Sequence, residues 1–174
     1  MFIKVEDIGP DGLEVSEDVG PDTVAGWLGD DGMYRPGGPA KVTLYAGRVG
    51  QGVLVKGRID APIAAECARC LKEIGLSASV PFTVLYTDRS GLGANAAREK
   101  LEEGEQYFNG PIIELDDGLR DELVLSLPMV ARCSEECKGL CLDCGADLND
   151  GPCGCHKGGS VLGEALRRRM GQGK

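Results

Sequence analysis

Eight cysteines dominate the chemistry available to this chain of 174 residues, because a thiolate is both a nucleophile and a soft metal ligand. Cys67 and Cys70 form a C-x2-C pair. The other six fall within 23 residues, as Cys133-x3-Cys137-x3-Cys141-x2-Cys144-x8-Cys153-x-Cys155. A two-residue spacing puts both sulfurs inside one tight turn, the bite that a tetrahedral zinc ion takes. In Cys141-Leu142-Asp143-Cys144-Gly145 the trailing glycine is free to adopt positive φ and turn backbone amides toward the sulfurs. Eight thiolates divide into two sites of four. The expected grouping is Cys67, Cys70, Cys133 and Cys137 in one, and Cys141, Cys144, Cys153 and Cys155 in the other. An alternative in which Cys137 joins the C-terminal cluster stays open, and His156 is placed to replace its neighbour Cys155.

The first site must close a loop of 62 intervening residues. Loop closure grows as (3/2)RT ln n, about 4 kcal/mol here before the constant term. Structural zinc supplies about 10–16 kcal/mol in small zinc peptides, which offsets that cost. Four protein ligands close a zinc site and leave no position for water or substrate, so one or two structural zinc ions are expected. The competing readings are disulfides, inert buried thiols, an iron–sulfur cluster or a redox switch. The opening Met1-Phe2-Ile3-Lys4-Val5-Glu6-Asp7 lacks the basic and apolar regions of an export signal, so a reducing, cytoplasmic setting is expected.

The elements that must position these sulfurs read as mainly β. Phe2/Ile3/Val5 and Leu13/Val15 suggest short strands around the turn Gly9-Pro10-Asp11-Gly12. Residues 20–39, rich in glycine, proline and aspartate, read as a loop or short strand pinned by Trp27 and Leu28. Lys41–Tyr45 and Gly52–Ile59 form an expected hairpin, and the second strand runs into Cys67 and Cys70. Leu76–Tyr86 should put Val80, Phe82, Val84 and Tyr86 on one face, with Pro81 marking an edge or an irregularity. Residues 88–110 read as a mobile insertion, and 99–122 carry nine acids against two bases. Leu115, Leu119, Leu123 and Leu127 are one stripe of a helix, with Asp116 and Asp117 as cap candidates and Pro128 as its end. A second, amphipathic helix is expected near the C-terminus, from Ser160 through Val161, Leu162, Ala165, Leu166 and Met170.

The formal net charge of −9 disfavours a protein that coats nucleic acid over its whole surface. A local basic surface remains available from Lys41, Arg48, Lys56, Arg58, Arg69 and Lys72, with Arg167, Arg168 and Arg169 of the tail. The acidic run is the opposite option, a dock for a basic protein. No run approaches the ~18 apolar residues of a membrane helix. Phosphate-loop, dinucleotide and nucleophile-elbow motifs do not occur. The single histidine, His156, lies inside the cysteine cluster, so a Ser–His or Cys–His nucleophile has no independent base and no catalytic residue is expected.

Cys67-Ala68-Arg69-Cys70-Leu71, Leu127-Pro128, the run Cys137-Lys138-Gly139-Leu140-Cys141-Leu142-Asp143-Cys144-Gly145, Ala146-Asp147-Leu148-Asn149 and the closing Cys153-Gly154-Cys155 together resemble the YceD-like family. The opening Ile8-Gly9-Pro10-Asp11-Gly12-Leu13 and the tail are similar to the family's ends. The resemblance implies a cytoplasmic bacterial protein that supports synthesis, processing or stability of large-subunit (23S) ribosomal RNA. It implies no catalytic residues. Some members lack the C-terminal cysteine run yet keep the C-x2-C turn, which speaks for two separate sites.

The expected architecture is α+β: an antiparallel sheet with the option of curling into a barrel, two helices, and a zinc-stapled C-terminal lobe. Residues 1–128 would form the β domain, with the insertion 88–110, and 129–174 the cysteine-rich lobe and final helix. The expected function is a non-enzymatic ribosome-assembly factor acting on large-subunit RNA or a basic ribosomal protein, without a membrane or small-molecule partner. The rival expectation is a zinc-binding redox or metal-responsive regulator.

Overall fold

Alternation of aliphatic and polar side chains along two long strands builds the centre of the molecule. The computed structural model describes residues 1–29, 32–89 and 105–155, and Arg169. Strand β1 (Phe2–Lys4) is followed by a 3-10 turn, β2 (Leu13–Val19), helix α1 (Pro21–Leu28), β3 (Tyr34–Pro36), β4 (Ala40–Val49), β5 (Gly52–Glu66), β6 (Glu73–Asp88), β7 (Glu105–Phe108), β8 (Ile112–Glu114) and helix α2 (Asp116–Ser126). The main sheet has the order β2-β4-β5-β6-β7, with β3 pairing the end of β5, and β1 pairs β8 separately. Register places Val42 opposite Ile59 and Ile59 opposite Val80, while Ala46, Val55 and Val84 form a row two steps along the same face. All of these side chains are buried, so one face of the sheet is continuously apolar. Gly57 interrupts the β5 series between Leu44 and Phe82. A Cβ there would lie 2.0 Å from the Thr43 carbonyl oxygen, so only glycine permits the strands' approach.

The two helices cover that apolar face. Val24 and Trp27 of α1, with Leu119 and Leu123 of α2 and the preceding Leu115, are buried against Val80, Phe82, Val84 and Tyr86 in one core. Those four β6 side chains share the face that the sequence pattern predicts. β7 pairs β6 only at Leu85–Asp88, so among the described residues no strand lies beyond Pro81, where a proline is tolerated. The Trp27 indole nitrogen donates to the Asp116 carboxylate at 3.2 Å, joining the helices. Asp116 therefore opens α2 without capping it: the N-cap residue is Leu115, and no side chain caps the helix.

Four expectations need correction. The sheet is not a barrel: β2 and β7 are its edges and do not pair with each other, because helices rather than a second curve of sheet cover the apolar face. It is also not purely antiparallel, since β7 runs parallel to β6. Residues 20–39 contain a helix, α1, with Pro21 at its start and Val24, Trp27 and Leu28 at helical spacing. Glycine and proline richness hid that periodicity. The range 88–110 includes β7, whose Phe108 is buried in the core. The expected tail helix lies outside the described residues, apart from Arg169, which is helical and exposed. No helix among the described residues is long and apolar enough to cross a membrane.

Candidate metal centre

The β5–β6 hairpin positions the first pair of sulfurs. β5 ends at Glu66 and β6 begins at Glu73, so Cys67–Lys72 is the hairpin tip. The Cys67 amide donates to the Lys72 carbonyl at 2.8 Å, and the Leu71 amide donates to the Cys67 carbonyl at 2.9 Å. The same pattern recurs at the second pair. There the Cys141 amide donates to Ala146 at 2.8 Å, and the Gly145 amide donates to Cys141 at 2.9 Å. Each turn needs left-handed backbone after its second cysteine. Gly145 takes it at φ 72°, whereas the first turn forces it on Leu71 at φ 60°.

The chain after α2 returns to the hairpin tip. The Tyr34 hydroxyl donates to the Pro128 carbonyl, and the Ala68 amide donates to Ala131 at 2.9 Å. Arg69 then acts as a strut: its guanidinium donates to the Cys137 carbonyl at 2.7 Å, and its own carbonyl accepts the Leu140 amide at 3.0 Å. Gly139 lies directly beneath Arg69 with φ 75°. Cys67, Cys70 and Cys137 form a small core of their own, with Ile74 and Leu140 alone among the described residues packed against it. Sulfur occupies the place that larger apolar side chains would otherwise fill.

The structure gathers the foursomes favoured by spacing, Cys67, Cys70, Cys133 and Cys137, and Cys141, Cys144, Cys153 and Cys155. Within each, all four sulfurs lie within 4.8 Å of one another, and either set could hold a metal ion. Cys67 and Cys137 sulfurs are 3.8 Å apart, Cys70 and Cys133 3.7 Å, and Cys141 and Cys153 3.4 Å. A disulfide requires about 2.05 Å. A tetrahedron with metal–sulfur bonds of about 2.3 Å has edges of about 3.8 Å, so the donor sets fit a tetrahedral thiophilic cation. The first site is half from the hairpin and half from the chain after α2, and only Cys133 is exposed. The second is local in sequence and more open, with Cys144 exposed and the others half-buried.

Electrostatics within each set are graded. Backbone amides of Cys133, Cys70 and Arg69 aim at the Cys67 sulfur and bring its pKa down to about 6. Amides of Cys144 and Asp143, with the Cys153 thiol, lower Cys141 to about 7. The Asn149 side-chain amide leads the contacts that lower Cys137. Against the lowering pull of the Lys72 amide, burial and the adjoining thiols push Cys70 up to about 12. The Cys144 thiol, with burial, pushes Cys155 up to about 12. Packed thiolates repel, so each set ionises in part and needs a bound cation to ionise fully.

Of the expected basic side chains, Arg48, Arg69 and Lys72 make contacts within the fold, whereas Lys41, Lys56 and Arg58 stand exposed on the sheet's uncovered face. Arg48 donates to the Val5 and Ile8 carbonyls at 2.6 and 3.2 Å. Arg69 braces Cys137, and Lys72 pairs with Asp147 at 2.7 Å. Lys41 stands in register between Asp18 and Asp60, Lys56 lies 5.4 Å from the Tyr45 ring, and Arg58 donates to Ser79 at 3.5 Å. Lys56 and Tyr45 line an open groove of about 750 Å³ with Glu14, Thr43 and Thr83 on the sheet's uncovered face. Arg167 and Arg168 lie outside the described residues; Arg169 is exposed. Asp147 and Asn149 carry part of the family resemblance but were not among the expected site residues, although Asp-x-Asn just after a cysteine turn is a signal for an Asx turn.

These features define an α+β protein in which a helix-covered mixed sheet carries two four-cysteine clusters able to hold metal. A family model described as "Large ribosomal RNA subunit accumulation protein YceD" matches residues 55–161, and the chain belongs to that family. It is 35% identical to an uncharacterized protein of Mycobacterium tuberculosis (strain H37Rv), over 60% of this chain and 49% of the relative. An uncharacterized protein of Mycobacterium leprae is 29% identical over 64% of this chain and 50% of its own length. From Arabidopsis thaliana, the "Large ribosomal RNA subunit accumulation protein YCED homolog 1, chloroplastic" is 30% identical over 80% of this chain and 52% of its own length. The chain thus spans about half the length of the curated relatives it matches. No solved structure matches it at a significant level.

Proposed function

We propose that this chain is a non-enzymatic factor that supports accumulation of large-subunit ribosomal RNA during ribosome assembly in the bacterial cytoplasm, with a structural zinc ion in each four-cysteine cluster. The observation that carries this reading is the family match over residues 55–161, a stretch that contains all eight cysteines. Zinc suits the all-sulfur donor sets and would supply cross-linking rather than chemistry, because four thiolates leave no open coordination position. Cys67 and Cys70 on the hairpin would hold Cys133 and Cys137 of the returning chain. Cys141, Cys144, Cys153 and Cys155 would fold the segment beyond. The one histidine of the chain adjoins Cys155, which leaves no separate acid–base group for the usual nucleophilic mechanisms.

Of the two partner classes, a basic ribosomal protein fits this surface better than RNA. Arg48, Arg69 and Lys72 are engaged in holding the fold together. Asp117 and Asp121 stand exposed on α2, where both share the single cation Arg120, and the chain carries a net charge of −9. The test is a deletion strain. Large-subunit ribosomal RNA should fall relative to small-subunit RNA and return with the wild-type gene, but not with Cys67→Ser/Cys70→Ser. Unchanged RNA in the deletion strain would refute the reading. Low-salt purification should recover a basic ribosomal protein; recovery of protein-free ribosomal RNA instead would overturn the choice of partner.

A further inference from the structure

The two cysteine clusters are joined by side chains as well as by sequence. Asp147 follows the second turn, and its Oδ2 pairs with Lys72 Nζ of the first turn at 2.7 Å. Its Oδ1 accepts from the Asn149 backbone amide at 2.9 Å and from the Asn149 side-chain amide at 2.7 Å. The other hydrogen of that side-chain amide points to the Cys137 sulfur, at 3.4 Å. The Asn149 side-chain oxygen Oδ1 accepts the Lys138 backbone amide at 2.8 Å. Nitrogen and oxygen of the Asn149 side-chain amide are thus all engaged: one donor contact to the first cluster, one to Asp147, and one acceptor contact from the residue after Cys137. The Leu148 amide donates to the Gly139 carbonyl at 2.9 Å, completing the seam.

Residues 145–149 hold this arrangement only while the surrounding turn is ordered, and the second cluster brackets that turn from both sides, with Cys141 and Cys144 before it and Cys153 and Cys155 after it. We infer that the two sites are thermodynamically coupled, with Asn149 the positioning residue through which metal in the second site raises the first site's affinity. This rests on reading both clusters as metal sites. Metal in the second cluster orders the segment, which then delivers an N–H to the Cys137 thiolate without further loss of chain entropy. By linkage, metal in the first site strengthens the second by the same factor.

Cobalt(II), whose tetrathiolate complexes absorb in the visible, is the probe, followed by zinc competition against a chelator. Cys153→Ala/Cys155→Ala removes two ligands of the second site and leaves Asn149 in place. It should weaken the first site by about 5- to 150-fold, the usual range of coupling between sites. Asn149→Leu should weaken the first site by a similar factor in the full-ligand protein and have no further effect in the Cys153→Ala/Cys155→Ala background. A merely structural asparagine would cost the same in both backgrounds, and that result overturns the assignment. First-site affinity unchanged within twofold on loss of the second ligands overturns the coupling. Should Asn149→Leu fail to fold, wild-type protein decides: coupled sites fill over one steep phase, whereas two independent phases refute coupling. Absence of cobalt–thiolate absorption in the wild type would instead refute the metal reading itself.

Discussion

Replacing Gly139 with alanine tests whether backbone shape, and not only sulfur, builds the first site. Gly139 has φ 75°, which costs an L-residue about 1–2 kcal/mol. An added Cβ would lie 2.9 Å from the Arg69 carbonyl oxygen and 3.3 Å from its Cβ. That oxygen already accepts the Leu140 amide at 3.0 Å, so it cannot withdraw without losing a bond. Overpacking of this kind costs about 1–3 kcal/mol, giving a combined penalty of about 2–5 kcal/mol. Because the strain falls between Cys137 and its brace Arg69, it should appear as metal affinity lost, by about 30-fold to a few thousand-fold at 1.4 kcal/mol per decade. Two controls grade the effect. Gly145→Ala shares the left-handed φ, at 72°, but meets nothing within 4 Å, so only about 1–2 kcal/mol is at stake. Gly154→Ala has open space and no positive φ, and should change affinity less than threefold. The assay is chelator competition for zinc, with circular dichroism monitoring the sheet. Equal affinities for Gly139→Ala and Gly154→Ala would refute the reasoning.

Two further outcomes follow from the geometry of the turns. Leu71 carries left-handed backbone where the matching turn has Gly145, and its side chain is largely exposed. Leu71→Gly should relieve about 1–2 kcal/mol of strain against about 0.5–1 kcal/mol of added chain entropy, a net gain of up to about 1.5 kcal/mol seen as an unfolding midpoint held or raised. A lowered midpoint would contradict the φ assignment. In metal-free protein, Cys141 should ionise before Cys155, since their pKa values are about 7 and about 12. Lowering in the folded state means that the stabilisation from the Cys141 thiolate is complete above the ordinary pKa near 9 and is lost as pH falls through about 7. Its alkylation rate, followed by mass mapping, should therefore rise with pH to a midpoint near 7; a midpoint near 9 would show that the amides do not reach its sulfur.

Much of the hairpin was legible because its alternation is local. Val80, Phe82, Val84 and Tyr86 lie on one face whichever partner covers them, and β4 and β5 announce themselves by the same period. α2 was legible because leucines four residues apart make a stripe without help from neighbours. α1 was not, since eight residues with only Val24 and Trp27 buried make too short a stripe to stand out among glycines and prolines. β7 was hidden for a related reason: four residues become a strand only when β6 lies alongside.

The sequence by itself determined the spacing of the sulfurs, and with it the two C-x2-C turns and a division of eight thiols into fours that left the place of Cys137 open, because a metal's bite is set by a few residues of chain. Tertiary structure decided the rest. It placed Cys137 with the hairpin rather than with Cys141, because Arg69 holds the Cys137 carbonyl and the Leu140 amide on the hairpin side. It engaged Arg48, Arg69 and Lys72 in contacts within the fold. And it brought Asn149 to a sulfur 12 residues away in sequence. Each of these depends on hydrogen bonds between segments whose approach is fixed by the packing of the whole sheet and its two helices, and no local pattern encodes that.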